Sequence, residues 1–181
     1  MRYFPNYVVY KEDATFSLKF IPPVFKTNNQ NINIGRKGKL VFEVAPRIEG
    51  DAMTDWTRAI NIALSVEELG ELLCNIEQLK ESRFNHNSLQ GDNKTITILP
   101  GDNDGSCEIN MHAEDQAGES KEVCVVLAEG EMEVIKNIIN TTLPNLVAFN
   151  TLVEQSITTL VNRENNQISS NDSFYRNDFD M

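Results

Sequence analysis

The chain has 181 residues, of which 40% are apolar and 24% charged, a composition typical of one globular domain rather than of a disordered or membrane-spanning chain. A net charge of −11 argues at first against a nucleic-acid partner, because phosphate groups are bound by Lys and Arg. The charge is uneven, however: residues 1–63 carry nine Lys/Arg and six Asp/Glu, whereas residues 64–181 carry seven and 21. The amino-terminal part is mildly basic, so a nucleic-acid ligand on one face stays compatible with the composition.

The sequence lacks the motifs of catalysis and metal binding. The three cysteines have no paired spacing and the two histidines stand far apart, so we expect neither a disulfide framework nor a metal site. No G-x-S-x-G, H-E-x-x-H or phosphate-loop pattern occurs. We therefore expect a protein that is not an enzyme and that uses no cofactor.

Strand patterns fill the first part of the chain. Residues 7–21 are rich in β-branched and aromatic side chains, which predicts one long strand or two short ones before two prolines. VFKTNNQNINIG (24–35) reads as a strand with an Asn-rich interruption. Alternation of apolar and other residues then predicts strands in KLVFEVAP (39–46) and TRAINIALS (57–65).

A helix follows these four strand signals. Ser65 and Glu68 form a capping-box pattern, and apolar residues recur from Val66 to Leu79 at helical spacing. The acidic residues early in this segment also suit the positive end of a helix dipole. The sequence therefore predicts a helix that begins after Ser65.

The second half repeats this plan. Four more short strand patterns precede a helical pattern from Glu129 to Leu143, which Pro144 kinks or restarts and which continues to about Arg163. From Glu164 the chain is polar, rich in Asn, Ser and Asp, and without periodicity. We therefore expect one binding domain in residues 1–163 and a disordered acidic-aromatic tail in residues 164–181.

Aromatic and basic residues are interleaved in the strand segments. Single strands bind where aromatic rings stack on bases and cations track the phosphates. The candidate residues for such binding are Tyr10, Lys11, Phe16, Lys19, Phe25, Lys39, Trp56, Arg58, Phe84 and Lys94. For two of these residues a structural role is the alternative to binding. Phe16 can belong to the core, and Trp56 can pin the loop before its strand, with Arg58 over the indole ring as a cation–π partner.

The segments KGKLVFEVAP (37–46), Asp55-Trp56-Thr57-Arg58 and SVEELGELL (65–73) together resemble the Whirly family of single-stranded DNA-binding proteins. LPNLVAFNTLV (143–153) is similar to a Leu/Met-Pro turn of that family. The resemblance covers roughly residues 7–160 and is closest in residues 38–73.

This resemblance implies an α+β fold with two four-stranded antiparallel sheets packed on helices. It also implies a homotetramer joined through the helices, which binds single-stranded DNA with low sequence specificity and serves replication, repair, recombination or transcription. Kinetoplastid guide-RNA-binding proteins share the architecture, so single-stranded RNA is the alternative ligand. An oligomeric scaffold for protein partners is the alternative from another class.

The carboxyl-terminal residues suggest a second interaction. Their mixture of rings and acids resembles the tails of bacterial-type single-strand-binding proteins, which recruit protein partners and can mimic nucleic acid. The candidate partner-binding residues are Phe174, Tyr175, Asp178, Phe179 and Asp180. A solvating tail without a partner is the alternative reading.

The amino-terminal segment MRYFPNYVVYKED has the pattern of neither a signal peptide nor a transit peptide. This favours the cytoplasm of a bacterial or virus-infected cell over an organelle and argues against secretion. We expect no membrane partner, because no apolar run reaches the roughly 18 residues needed to span a bilayer.

Overall fold

The structure is a computed structural model that describes residues 6–28, 31–87, 92–101 and 105–148, with the backbone alone between 25 and 35. The described residues form ten strands, one short 3-10 helix and two α-helices. The strands are β1 (Asn6–Tyr10), β2 (Ala14–Ile21), β3 (Val24–Asn28), β4 (Asn31–Arg36), β5 (Lys39–Pro46), β6 (Ile60–Leu64), β7 (Ser82–Asn87), β8 (Asn93–Pro100), β9 (Cys107–Glu114) and β10 (Ser120–Leu127). The helices are the 3-10 helix Trp56–Arg58, α1 (Val66–Glu77) and α2 (129–148).

Two four-stranded antiparallel sheets confirm the predicted α+β fold. The first sheet has the strand order β1-β2-β5-β6 and the second has β10-β9-β8-β7. Both sheets lie in one compact unit, which comprises the described residues within 6–22 and 39–146. Strands β3 and β4 belong to the other unit and pair as a separate two-stranded hairpin. The segment read from the sequence as one strand with an Asn-rich interruption therefore forms two paired strands.

Alternation along the first sheet separates a core face from an outer face. Phe16, Leu18, Phe42 and Ile62 lie on the core face in adjacent register positions and are buried. Ser17, Glu43 and Asn61 are neighbours on the outer face. The same period of two in β7 to β10 places its apolar residues in one shared core with the first sheet and both helices.

Two aromatic residues predicted to stack on bases are core residues instead. Phe16 is fully buried and meets Phe42 edge to face, with ring centroids 6.0 Å apart. Phe84 is 5% exposed within the same core. Neither ring is accessible to a base, so the prediction of these two as binding residues is wrong. The reason is that both rings lie on the faces of their strands that pack into the core.

Helix α1 begins as the sequence predicts. Glu68 N–H donates to Ser65 Oγ at 3.2 Å, and Ser65 N–H donates to Glu68 Oε2 at 2.7 Å, which completes the capping box. Helix α2 begins at residue 129 and continues past Pro144 to residue 148 without a restart, and its predicted continuation to about Arg163 lies outside the described residues. In the part of the chain that the structure describes, neither helix has the length and apolar character to cross a membrane.

Candidate nucleic-acid interface

The connection between β5 and β6 folds over the outer face of the first sheet. Asp55 N–H donates to the Pro46 carbonyl at 2.9 Å, and the Thr54 and Thr15 hydroxyls are 2.6 Å apart. Thr15 and Ser17 are fully buried although alternation places them on the outer face, as expected where a connection covers their strand. The contact with Thr15 thus fixes the start of the 3-10 helix on the sheet.

The 3-10 helix presents Trp56 to solvent. Asp55 caps it, since Thr57 N–H donates to the Asp55 carboxylate at 3.1 Å. The hydrogen bond from the Thr57 hydroxyl is the main cause that lowers the pKa of Asp55. Trp56 keeps 45% of its surface exposed. A partly exposed aromatic ring on a capped 3-10 helix is the form that a stacking platform needs.

Lys19 links this ring to the sheet. Its ammonium lies 5.5 Å from the Trp56 ring centroid, within cation–π range, and forms an ion pair with Glu43. The side chain of Lys19 is 35% exposed, whereas that of Glu43 is 11% exposed. We call Lys19, Glu43 and Trp56 together the Trp56 site.

The cation that the structure places over Trp56 belongs to Lys19, whereas the sequence suggested Arg58. That suggestion assumed strand alternation, in which residues two apart share a face. Residues 56–58 form a 3-10 helix instead, with three residues per turn, so side chains two apart point in different directions. Arg58 is exposed and ends this helix.

Lys94 comes from the second sheet and reaches the outer row of the first. Its ammonium donates to the Asn61 carbonyl at 3.2 Å and to Asn61 Oδ1 at 3.3 Å. Asn61 is the cross-strand neighbour of Glu43. Lys19 on β2 and Lys94 on β8 therefore contact Glu43 and Asn61 respectively, which are neighbours on β5 and β6.

The other predicted binding residues are placed as follows. Tyr10 is 65% exposed at the end of β1, and Lys39 is exposed at the start of β5. Lys11 forms an ion pair of 2.6 Å with Glu131 at the beginning of α2, so its charge is already partly neutralised. Phe25 lies on β3, where the structure describes only the backbone. The tail residues Phe174, Tyr175, Asp178, Phe179 and Asp180 lie outside the described residues.

The outer face of the second sheet is less suited to nucleic acid. In β7 to β10 the only Phe, Tyr or Trp is Phe84, which is buried. Glu108 and Glu122 flank Cys124 on this face. Burial, followed by the charge of Glu108, raises the pKa of the Cys124 thiol to about 11. These carboxylates would repel phosphate, so the first sheet is the better candidate.

Glu43, Thr54 and Asn61 complete the site, and sequence reasoning missed all three. One feature of the sequence could have pointed to Glu43, because it is the only acidic residue in the four strands of the first sheet. Its partner could be named only from the register that sets Ser17 opposite Glu43. The assembled site offers one open ring, a cation beside it and hydrogen-bonding groups along the neighbouring row.

The fold and this surface define an α+β binding protein in which two four-stranded antiparallel sheets share one core. The chain belongs to the Whirly family, whose sequence model, described as "Whirly transcription factor", matches residues 9–138. This confirms the resemblance read from the sequence.

A plant relative agrees with this membership. The chloroplastic single-stranded DNA-binding protein WHY1 of Zea mays is 25% identical over 160 residues, which are 84% of this chain and 59% of that protein. The matched region therefore spans less than two thirds of that relative.

Solved structures of low sequence identity share the fold. WHY1 from Arabidopsis thaliana is similar with a TM-score of 0.72 and 18% identity, over 89% of this chain and 95% of that one. The plant transcriptional regulator PBF-2 is similar with a TM-score of 0.70 and 20% identity, over 86% and 88%. WHY3 from Arabidopsis thaliana has a TM-score of 0.69 at 20% identity, over 89% and 99%.

Proposed function

We propose that this protein is a non-enzymatic single-stranded DNA-binding protein of low sequence specificity. The observation that carries the proposal is the Trp56 site: a half-exposed indole with an ammonium 5.5 Å from its centroid, on the outer face of the first sheet. Membership of the Whirly family and the maize relative that is named for single-stranded DNA binding support it.

The chemistry of the site suits unpaired bases rather than duplex. Every base has a face that can stack on an indole, whereas stacked base pairs inside a duplex cannot offer it. Stacking on one aromatic contributes about 1–3 kcal/mol per base, which can offset the modest number of cations on this face. Because a stacking contact does not read base edges, binding should tolerate many sequences.

Fluorescence anisotropy with labelled single-stranded DNA, single-stranded RNA and duplex DNA tests this proposal. We expect the full chain to bind the single-stranded DNA more tightly than the duplex. Trp56→Ala should weaken that binding about tenfold or more, because one stacking contact is lost. Met53→Ala serves as the matched control, since Met53 is 63% exposed in the same β5–β6 connection.

Three outcomes would count against the proposal in different ways. Equal binding by Trp56→Ala and the parent would remove the Trp56 site from the interface. Tighter binding of single-stranded RNA than of single-stranded DNA would make RNA the ligand in place of DNA. No binding to any oligonucleotide would favour the protein-scaffold function instead.

Assembly and process belong to the same proposal. We infer a homotetramer from the family resemblance, and the 40% exposure of Val134 on α2 supports an apolar helix-to-helix contact. Light scattering should then report the mass of four 20.5 kDa chains rather than one. Roles in replication, repair, recombination or transcription, and partner binding by the tail, stay predictions.

The cellular compartment is also a prediction. We propose an organelle in place of the cytoplasm expected from the sequence, because the maize relative is named as chloroplastic. The relative supports an organelle, and fractionation of the source cells decides between the two.

A further inference from the structure

Glu43 is a nearly buried charged residue of the first sheet. It is 9% exposed in the middle of β5 and lies on the outer face between Ser17 and Asn61. It is the only acidic residue in the four strands of the first sheet, whose only basic residues are Lys19 and Lys39. Burying a carboxylate costs free energy even when it is paired, and an uncharged residue of similar volume usually serves stability as well.

The partner of Glu43 is the cation beside the stacking ring. Lys19 forms an ion pair with Glu43 while its ammonium lies 5.5 Å from the Trp56 ring centroid. A phosphate that reaches Lys19 therefore meets a lysine whose charge is already neutralised by Glu43. The carboxylate and the phosphate compete for the same ammonium.

We propose that Glu43 is a built-in competitor of the nucleic-acid phosphate at Lys19, which weakens single-strand binding and makes it less dependent on salt. This inference rests on the proposed function, and it names Glu43 as the residue that sets the electrostatic part of single-strand binding. In the free protein Glu43 also holds Lys19 beside Trp56, so the ring and the cation are positioned before any strand arrives.

Counterion release provides the readout. A phosphate neutralised by a free lysine releases its bound cation, which contributes about 0.7 to the slope of log K against log salt for a single strand. When the lysine must leave Glu43, the freed carboxylate takes up a cation, and the net release at this position approaches zero. Removing the carboxylate should restore the full release.

The experiment compares the full-length parent with Glu43→Gln by anisotropy of a labelled oligothymidylate over about a tenfold range of salt. Glu43→Gln should bind more tightly at low salt, with a slope steeper by about 0.7. Its advantage over the parent should fall about fivefold for each tenfold rise in salt. Glu122→Gln, an exposed carboxylate on the outer face of the second sheet, makes the same charge change and should leave the slope unchanged.

Glu43→Met is a second variant, which keeps the test valid if Glu43→Gln folds poorly. A slope equal to that of Glu122→Gln in both Glu43 variants would overturn the inference while leaving single-strand binding intact. Weaker binding with an unchanged slope would show that Glu43 only supports the fold. Failure of the parent to bind any single strand would overturn the proposed function and this inference together.

Discussion

Lys19 has two contacts that make its mutation hard to interpret alone. The ammonium lies beside Trp56, and it also neutralises a carboxylate that is only 11% exposed. Loss of the lysine would therefore remove a binding group and at the same time leave Glu43 buried without its partner. A buried unpaired charge is far more costly than an ion pair that was never formed.

Lys19→Ala should consequently lower the free energy of unfolding and also weaken the binding of single strands. We expect a loss of about 1–3 kcal/mol, below the figure for a fully buried pair because the lysine is partly exposed. Urea denaturation of Lys19→Ala, Glu43→Gln and the double variant measures it. The double variant should recover most of the loss, and additivity of the two single changes would contradict the coupling.

The carboxyl end of α1 shows how an element can end on an unfavourable residue. Leu79 N–H donates to the Ile76 carbonyl at 3.2 Å and Lys80 N–H donates to the Asn75 carbonyl at 2.9 Å. These are the two bonds of a Schellman motif, in which the left-handed position is normally glycine. Leu79 occupies that position with φ of 53° and is 68% exposed. Its side chain also lines a cavity of about 210 Å³ with Ile76 and other residues.

Leu79→Gly should stabilise the protein by about 1 kcal/mol, because glycine adopts the left-handed conformation without a Cβ clash. The apolar contact that is lost is small, since most of the Leu79 side chain is exposed. Leu79→Ala is the matched control, because it loses the same contact but keeps the Cβ. Urea denaturation compares the two, and equal stability of both variants would contradict the explanation.

The amino end of α1 depends on a carboxylate with two partners. Glu68 accepts from Ser65 N–H and lies 2.8 Å from His86 Nε2 on β7, so it joins the helix to the second sheet. Burial raises the pKa of Glu68, but the hydrogen bonds from Ser65 and His86 outweigh this and leave it below the ordinary 4.5. A carboxyl whose pKa is lowered on folding stabilises the protein above the unfolded pKa.

This stabilisation should disappear in acid. The contribution of Glu68 is fully present above about pH 4.5 and is lost as the pH falls through the lower folded pKa. Glu68→Gln keeps an acceptor for Ser65 but carries no charge, so its stability deficit should shrink below pH 4.5. Unfolding curves over this range measure the gap, with Glu67→Gln as the control in the same turn. A gap that stays constant in acid would contradict the role of the charge.

Across the whole molecule, local sequence patterns predicted where strands and helices lie better than they predicted which face of each strand is buried. The capping box of α1 and the strand alternations depend on nearest neighbours, and the structure has them where the sequence indicates. The outer and core faces depend on which strands pair, and that information lies far apart in sequence. Phe16 and Phe84 were misassigned for this reason, since an aromatic in a strand has the same local pattern on either face.

The same limit applies to the candidate interface. Trp56 and Lys19 were both proposed from the sequence, but their contact joins residues that are 37 positions apart, with strands β3, β4 and β5 between them. The hairpin formed by β3 and β4 was also missed as a pair, because an Asn-rich interruption reads equally as a break within one strand. The contacts of the candidate interface follow from strand register and tertiary packing, which residue type alone does not reveal.

The placement of the chain's one tryptophan has an optical consequence. Because Trp56 is 45% exposed, its emission should report polar surroundings in the free protein. A base stacked on the ring would quench this emission, and no other indole in the chain would dilute the signal. The protein therefore carries its own unlabelled sensor at the surface where the ligand is proposed to bind, and titration of its natural fluorescence would show occupancy of that one position directly.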